Sequence, residues 1–285
     1  YRRRVYNKSK RRVSAVHQLL IYSIGLCISC KFMKNILLGI FALLMSMTLW
    51  SCSNDAPDAP DLPAVSKIAI MGDSYSTFEG WSNRDITGND NGYYVYYPQE
   101  SLLTGVDCVE KTWWHMLCQA PEFELEISNS FSGSVISNTH YNGVNVAGTD
   151  LSFMNRVGKN PHGVDYNGDP DIILVFGGTN DCWAGVDLGD YVYRNWSGDD
   201  LKCFRPAFSK LIHTLKELYP NATVYNITND DDSYGVSTPF AKSMNKVCKH
   251  YGVTNIVLDD IEKVDGHPTY VGMQAICEQV YAALK

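Results

Sequence analysis

The sequence predicts an α/β fold with a mostly parallel sheet and helices on both faces. Three observations predict it. From residue 65 onward, short β-branched runs alternate with stretches of helical periodicity, and such a succession builds βαβ units. The run from Ile172 to Phe176 is apolar throughout and ends at Gly177-Gly178, the pattern of a strand buried on both faces. No internal repeat interrupts the alternation, and about 220 residues carry it, the length of one domain.

The elements follow in order. Residues 67–71 (Lys-Ile-Ala-Ile-Met) read as the first strand. A helical stretch is expected over 112–119 and a second strand at 124–127, with the third at 171–176. Between Leu201 and Leu218 the apolar positions Leu201, Phe204, Phe208, Leu211, Ile212, Leu215 and Leu218 step mostly by three or four. That spacing predicts an amphipathic helix, with Asp199 or Asp200 available as its N-cap. A strand at 223–227, a helix over 239–251, a strand at 255–258 and a closing helix over 270–283 complete the pattern. The irregular stretches 78–107 and 132–170 exceed ordinary connections and are expected to be functional loops.

Charge divides the chain unevenly. Residues 1–52 hold nine basic residues and no acid, which leaves residues 53–285 with 15 basic and 31 acidic, a net of −16. An acidic folded part of this kind repels phosphates and excludes a nucleic-acid binder. The 12% aromatic content excludes a disordered chain. From Met33 the text runs through Lys34 and an apolar stretch, Ile36 to Leu44, to Leu49-Trp50-Ser51-Cys52. These are the regions of a secretory signal, and its end resembles a lipobox in which Cys52 takes the lipid. The expectation is therefore an upstream extension over 1–32, a signal peptide over 33–52, an Asp/Pro-rich tether over 53–64 and the folded domain over 65–285. The protein would be exported and held to a membrane by a lipid on Cys52.

In an open parallel sheet, ligands bind beyond the carboxyl ends of the strands. There the sequence places Gly72-Asp73-Ser74-Tyr75-Ser76 after strand one and Ser130-Phe131-Ser132-Gly133-Ser134 after strand two. Gly177-Gly178-Thr179-Asn180-Asp181 follows strand three, and Asp265-Gly266-His267-Pro268 stands ahead of the last helix. A hydroxyl, a glycine N–H, a carboxamide and an Asp/His pair are the parts of acyl transfer: nucleophile, oxyanion donors, base and orienter.

These four blocks resemble those of the SGNH (GDSL) hydrolases. The resemblance implies a flavodoxin-like three-layer α/β/α sandwich around a five-stranded sheet, and serine-based ester hydrolysis without a cofactor or metal. By position it makes Ser74 the nucleophile and His267 the base. Ser74, Gly133 and Asn180 become the oxyanion hole. Asp265 is expected to orient His267, although the family writes Asp-x-x-His and here the two stand only two apart. Asp259, Asp260, Glu262 or a backbone carbonyl are the alternatives.

Other features have plainer readings. Asp73 and Asp181 are expected to bond local backbone. His115, His162, His213 and His250 read as packing or surface groups. Asp165, Asn167 and Asp169 mimic the start of a calcium loop, but Phe176 stands where its bidentate Glu belongs. Cys108, Cys118, Cys182, Cys203, Cys248 and Cys277 could pair as disulfides in an exported domain or remain buried thiols. Aromatic residues crowd the loops, and Trp81, Tyr93 and Trp183, with His140, are candidates to line the cleft. Aromatic surfaces beside an ester site suit sugar rings, so the expected activity is removal of short acyl groups, acetyl foremost, from glycans. A lysophospholipase or lipase of the same family and a non-catalytic glycan-binding lipoprotein are the alternatives.

Overall fold

Ile68 and Ile70 face one way along β1 (Ser66–Gly72), Ala69 and Met71 face the other, and all four are fully buried. A strand that buries both faces needs a layer of helices on each side. The computed structural model shows both layers; it describes residues 65–81, 95–99, 101–139, 152–157 and 168–285. Cys52 with the expected signal and tether lies outside the described residues, as do Tyr93, His140, His162, Asp165 and Asn167.

The remaining strands of the main sheet are β2 (Phe123–Ser130), β3 (Ile172–Phe176), β4 (Thr223–Asn229) and β5 (Thr254–Leu258). All neighbours pair parallel in the order β2-β1-β3-β4-β5. The helices are α1 (Ser101–Thr104), α2 (Trp113–Leu117), α3 (Phe153–Arg156), α4 (Thr179–Trp183), α5 (Phe204–Leu218), α6 (Thr238–Tyr251) and α7 (Tyr270–Leu284). Ala69, Met71, Ile173 and Val175 pack under Phe208, Leu211 and Leu215 of α5 and Met244 and Val247 of α6. Ile68, Ile70, Leu174 and Phe176 pack against Trp113 and Trp114 of α2 and Met273, Ile276 and Val280 of α7. The result is a three-layer α/β/α sandwich with flavodoxin-like strand order. The chain leaves β1 for β2 on one side and returns to β3 on the other, which opens a crevice at their carboxyl ends.

Two boundaries differ from expectation for physical reasons. Helix α5 starts at Phe204, behind a 3₁₀ turn over Asp200–Lys202, and its N-cap is Cys203, whose side chain makes no cap bond. A helix begun at Leu201 would put Pro206 beyond its first turn, where the ring clashes with the carbonyl four residues back. Asp200 instead accepts hydrogen bonds from Ser197 N and Oγ, both at 2.7 Å. Strand β2 runs on through Ser128, Asn129 and Ser130, which pair with Ile70, Met71 and Gly72. Those residues are polar yet buried, so hydropathy ends the strand too early.

A short antiparallel hairpin, β6 (Lys263–Val264) and β7 (His267–Pro268), stands outside the main sheet. Its two-residue turn, Asp265-Gly266, has φ of +47° and +81°, as a type I′ turn requires. The first turn of α7 lies against the strand leading into this hairpin. A Cβ on Gly272 would stand 2.2 Å from the carbonyl oxygen of Glu262. Gly272→Ala is therefore expected to destabilise the fold by roughly 1–3 kcal/mol through overpacking. Gly198→Ala, with nothing within 4 Å of the new atom, should leave the melting temperature within error.

Candidate active site

The site begins with a glycine that has no room for a side chain. A Cβ on Gly72 would lie 2.6 Å from Ser76 Cβ and 2.7 Å from Ser130 Oγ, so the strand end can be crossed closely by both neighbouring loops. Asp73 follows, and its Oδ1 accepts from Tyr75 N at 3.1 Å. Ser74 opens a single 3₁₀ turn, Ser74–Ser76. One turn has little dipole to lend, so any stabilisation of charge at Ser74 must come from individual donors.

Those donors come from three strand ends. Gly133, beyond β2, has φ +74° with nothing within 4 Å of where its Cβ would be. The backbone N–H groups of Ser74 and Gly133 have no hydrogen-bond partner among the described residues. Asn180, in α4 beyond β3, donates through Nδ2 to Ser134 O at 3.0 Å and lies 3.5 Å from Asp73 Oδ2. Next to it, Asp181 accepts from Ile136 N at 2.7 Å and Ser137 N at 3.0 Å. The loop that carries Gly133 is thus stapled to α4 by both residues. Burial pushes the carboxyl of Asp73 up to about 7 and that of Asp181 up to about 6, against the pull of their backbone donors. Both act on backbone, as the sequence suggests.

His267 arrives on β7. Its Nε2 lies 3.0 Å from Ser74 Oγ, and its Nδ1 lies 3.2 Å from the backbone carbonyl oxygen of Asp265. A carbonyl only accepts, so Nδ1 carries the proton and Nε2 is left to accept from the Ser74 hydroxyl. The carboxylate of Asp265, expected to orient the ring, does not bond it. No carboxylate does so among the described residues: Glu262 accepts from Thr269 Oγ1 at 2.5 Å, and Asp259 meets Gln279 through its backbone. The hairpin explains the correction. With two residues between β6 and β7, the type I′ turn aims the Asp265 carbonyl at the ring and leaves its side chain exposed. The Asp-Gly dipeptide is the signal that could have revealed this turn.

Aromatic rings enclose the imidazole. Tyr96 stacks on it with centroids 3.5 Å apart and planes 6° from parallel. Tyr75 and Trp183 meet it edge-on at 5.5 and 6.2 Å. Two buried hydroxyls hold the hairpin itself: Tyr75 Oη donates to Gly266 O at 2.5 Å and Tyr97 Oη to Pro268 O at 2.7 Å. Burial lowers the His267 pKa to about 4, a shift that the Asp265 carbonyl and charge only partly reverse.

Of the cleft candidates, Trp183 stands beside His267, and Gly266 separates it from Tyr234, which is 54% exposed. Trp81 instead contacts Trp114 and His115. Tyr191, Tyr193 and Trp196 pack on Arg205, His250 and His213. All six cysteines beyond residue 100 are free thiols, and no cluster of three or more metal-ligating side chains occurs among the described residues. Sequence reasoning missed Arg156, which is 1% exposed and lies under the Gly133 loop; its position in an irregular stretch carries no periodic signal.

Residues 66–284 match the family model of the GDSL-like Lipase/Acylhydrolases. A crystal structure from Bacteroides uniformis, described as that of a GDSL-like lipase, is 43% identical. The match covers 77% of this chain and 95% of that one, with a TM-score of 0.67. A second, from Bacteroides ovatus, is 39% identical over 78% of this chain and 98% of its own, with a TM-score of 0.66. A family two carbohydrate esterase from Clostridium thermocellum shares the fold at 18% identity and a TM-score of 0.53, covering 79% of this chain and 64% of that one. No curated protein matches. The fold and these likenesses define a carboxylic ester hydrolase. The chain belongs to the SGNH/GDSL hydrolase family.

Two outcomes follow from the geometry around His267. Only the neutral imidazole can accept a proton, and a pKa lowered to about 4 keeps it neutral well below pH 6.5. The acid limb of kcat/KM for ester hydrolysis should therefore fall near pH 4. Asp265→Asn keeps the backbone carbonyl and tolerates positive φ, so kcat should drop less than ~10-fold, against the ~10⁴-fold loss seen where a triad carboxylate is replaced.

Proposed function

We propose that the chain is a serine esterase that removes short acyl groups, acetyl foremost, from carbohydrate hydroxyls. The observation that carries the reading is the 3.0 Å contact between Ser74 Oγ and a neutral, carbonyl-oriented His267. In the proposed reaction Ser74 Oγ attacks the ester carbon while its proton passes to His267 Nε2. The carbonyl oxygen takes the negative charge and meets the N–H groups of Ser74 and Gly133 and the Asn180 carboxamide. Each such donor is worth about 3 kcal/mol in the barrier. His267 then returns the proton to the departing alcohol, and a water repeats the sequence to free the acid. Between the two transfers the imidazolium lies against the face of Tyr96 and donates to the Asp265 carbonyl. Both contacts favour the charged ring only at that stage.

The departing alcohol must lie at His267, since that ring protonates it, and the surface there is aromatic: Tyr96, Trp183 and the exposed Tyr234. Such rings suit the apolar face of a sugar. The carbohydrate esterase of the same fold supports this substrate class, and the net −16 of residues 53–285 disfavours polyanionic ones. Cys52 would hold the exported enzyme to a membrane through a lipid, which the mass of the mature N-terminus would reveal.

A panel of esters tests the reading. Acetylated oligosaccharides and p-nitrophenyl acetate should be hydrolysed by wild type and not by Ser74→Ala. Long-chain esters and lysophospholipids should be poor substrates; their efficient cleavage, with acetylated oligosaccharides ignored, would establish the lipase alternative. Tyr234→Ala should raise KM for the oligosaccharide about 10-fold, as expected for loss of roughly 1.4 kcal/mol of stacking, and leave ethyl acetate hydrolysis unchanged.

A further inference from the structure

A guanidinium lies buried beneath the loop that carries Gly133. Arg156, the last residue of α3, is 1% exposed, and burying such a charge is costly unless its donors are well matched. Its Nη1 donates to Asn129 O at 2.5 Å and to Asn129 Oδ1 at 2.8 Å. Its Nη2 donates to Gly72 O at 3.2 Å and to Ser134 Oγ at 3.0 Å. The rings of Phe131 and Phe153 sandwich the charge, with centroids 4.9 and 4.6 Å from Cζ.

The acceptors are what make this more than packing. Gly72 lies two residues before Ser74, and its carbonyl also accepts from Phe131 N at 3.2 Å. Ser134 follows Gly133. Asn129 lies in the part of β2 that leads into the same loop. One planar fork therefore joins the end of β1, the end of β2 and the residue after Gly133, whose N–H has no partner among the described residues. Resting on the esterase reading above, we propose that Arg156 is a positioning residue for the oxyanion hole: it fixes the Gly133 N–H relative to Ser74. It does not touch the substrate. A lysine offers one point charge and cannot reproduce the fork.

The test compares R156K and R156M with wild type on p-nitrophenyl acetate. If Arg156 aligns the hole, kcat falls about 100-fold in R156M, the penalty of a misplacement near 1 Å, while KM stays within threefold. R156K recovers part of the loss. An alkylboronic acid, whose tetrahedral adduct on Ser74 needs the same donors, should lose affinity in step with kcat. Ser134→Ala, which keeps Arg156 and removes one of its acceptors, should lower kcat about 10-fold.

A kcat within threefold of wild type in folded R156K and R156M, with only the melting temperature lowered, would overturn the proposal. Equal loss through KM would do the same. If R156M does not fold, R156K and Ser134→Ala carry the same comparison. Should wild type hydrolyse none of the esters, or Ser74→Ala retain full turnover, the esterase reading fails on its own. Exchange of the Ser134 amide hydrogen, bonded to Phe131 O, then still reports on the loop. It should quicken in R156K, and unchanged exchange would refute the positioning role.

Discussion

The hydrogen bond from Ser74 Oγ to His267 Nε2 joins residues 193 positions apart in the chain, and much of the rim serves to keep it in place. Neither partner is fixed by its own element. Ser74 sits on one 3₁₀ turn, and His267 sits on a two-residue strand. What holds them is a set of buried hydroxyls and carbonyls around the turn and the hairpin. Tyr75, the residue after Ser74, reaches the Gly266 carbonyl next to His267. A rotation of the hairpin would break that bond and the Ser74 contact together, so the two are mechanically coupled.

A histidine oriented by a carbonyl differs from one oriented by a carboxylate. The carbonyl fixes the tautomer as firmly but gives less stabilisation to the imidazolium, and burial further disfavours the charged ring. The ring is thus a weaker base held neutral over a wide pH range. The parallel face of Tyr96 offers charge stabilisation through its π cloud rather than through a carboxylate. Tyr75, Tyr96 and Trp183 partly enclose the imidazole, and a drier environment strengthens its bond to the hydroxyl.

Around this pair lies an unusually polar part of the interior. Asp73, Asp181, Asn129, Asn180 and Arg156 are all buried at the carboxyl ends of β1, β2 and β3. Buried polar groups of this kind are unfavourable unless satisfied, and each has backbone or side-chain partners here. Their common effect is to tie three loops to one another at the switch point. Apolar packing could fill the same space but could not set the direction of an N–H group. Beneath the rim β1 and β3 are apolar on both faces, while β4 buries a second polar group, Asn226 and Thr228, bonded to Asn255.

Much of the fold was legible because it depends on patterns that local sequence must carry. The apolar run into Gly177-Gly178, the period of α5 and the alternation of strands and helices follow from burial of one face or two. The four blocks after the strands were legible for the related reason that a parallel sheet delivers strand ends to one rim. Ser74, Asn180, Gly133 and His267 do meet there. That a carbonyl replaces the Asp265 carboxylate depends on the sign of φ at two turn residues, for which the Asp-Gly dipeptide is the one signal in the sequence. The sequence by itself could not show that Tyr96 stacks on His267 or that Arg156 joins the ends of β1 and β2. Those contacts span from 22 to 171 residues and have no period to betray them. Local pattern determined which residues reach the rim; only the tertiary structure decided which atom of each one faces the reaction.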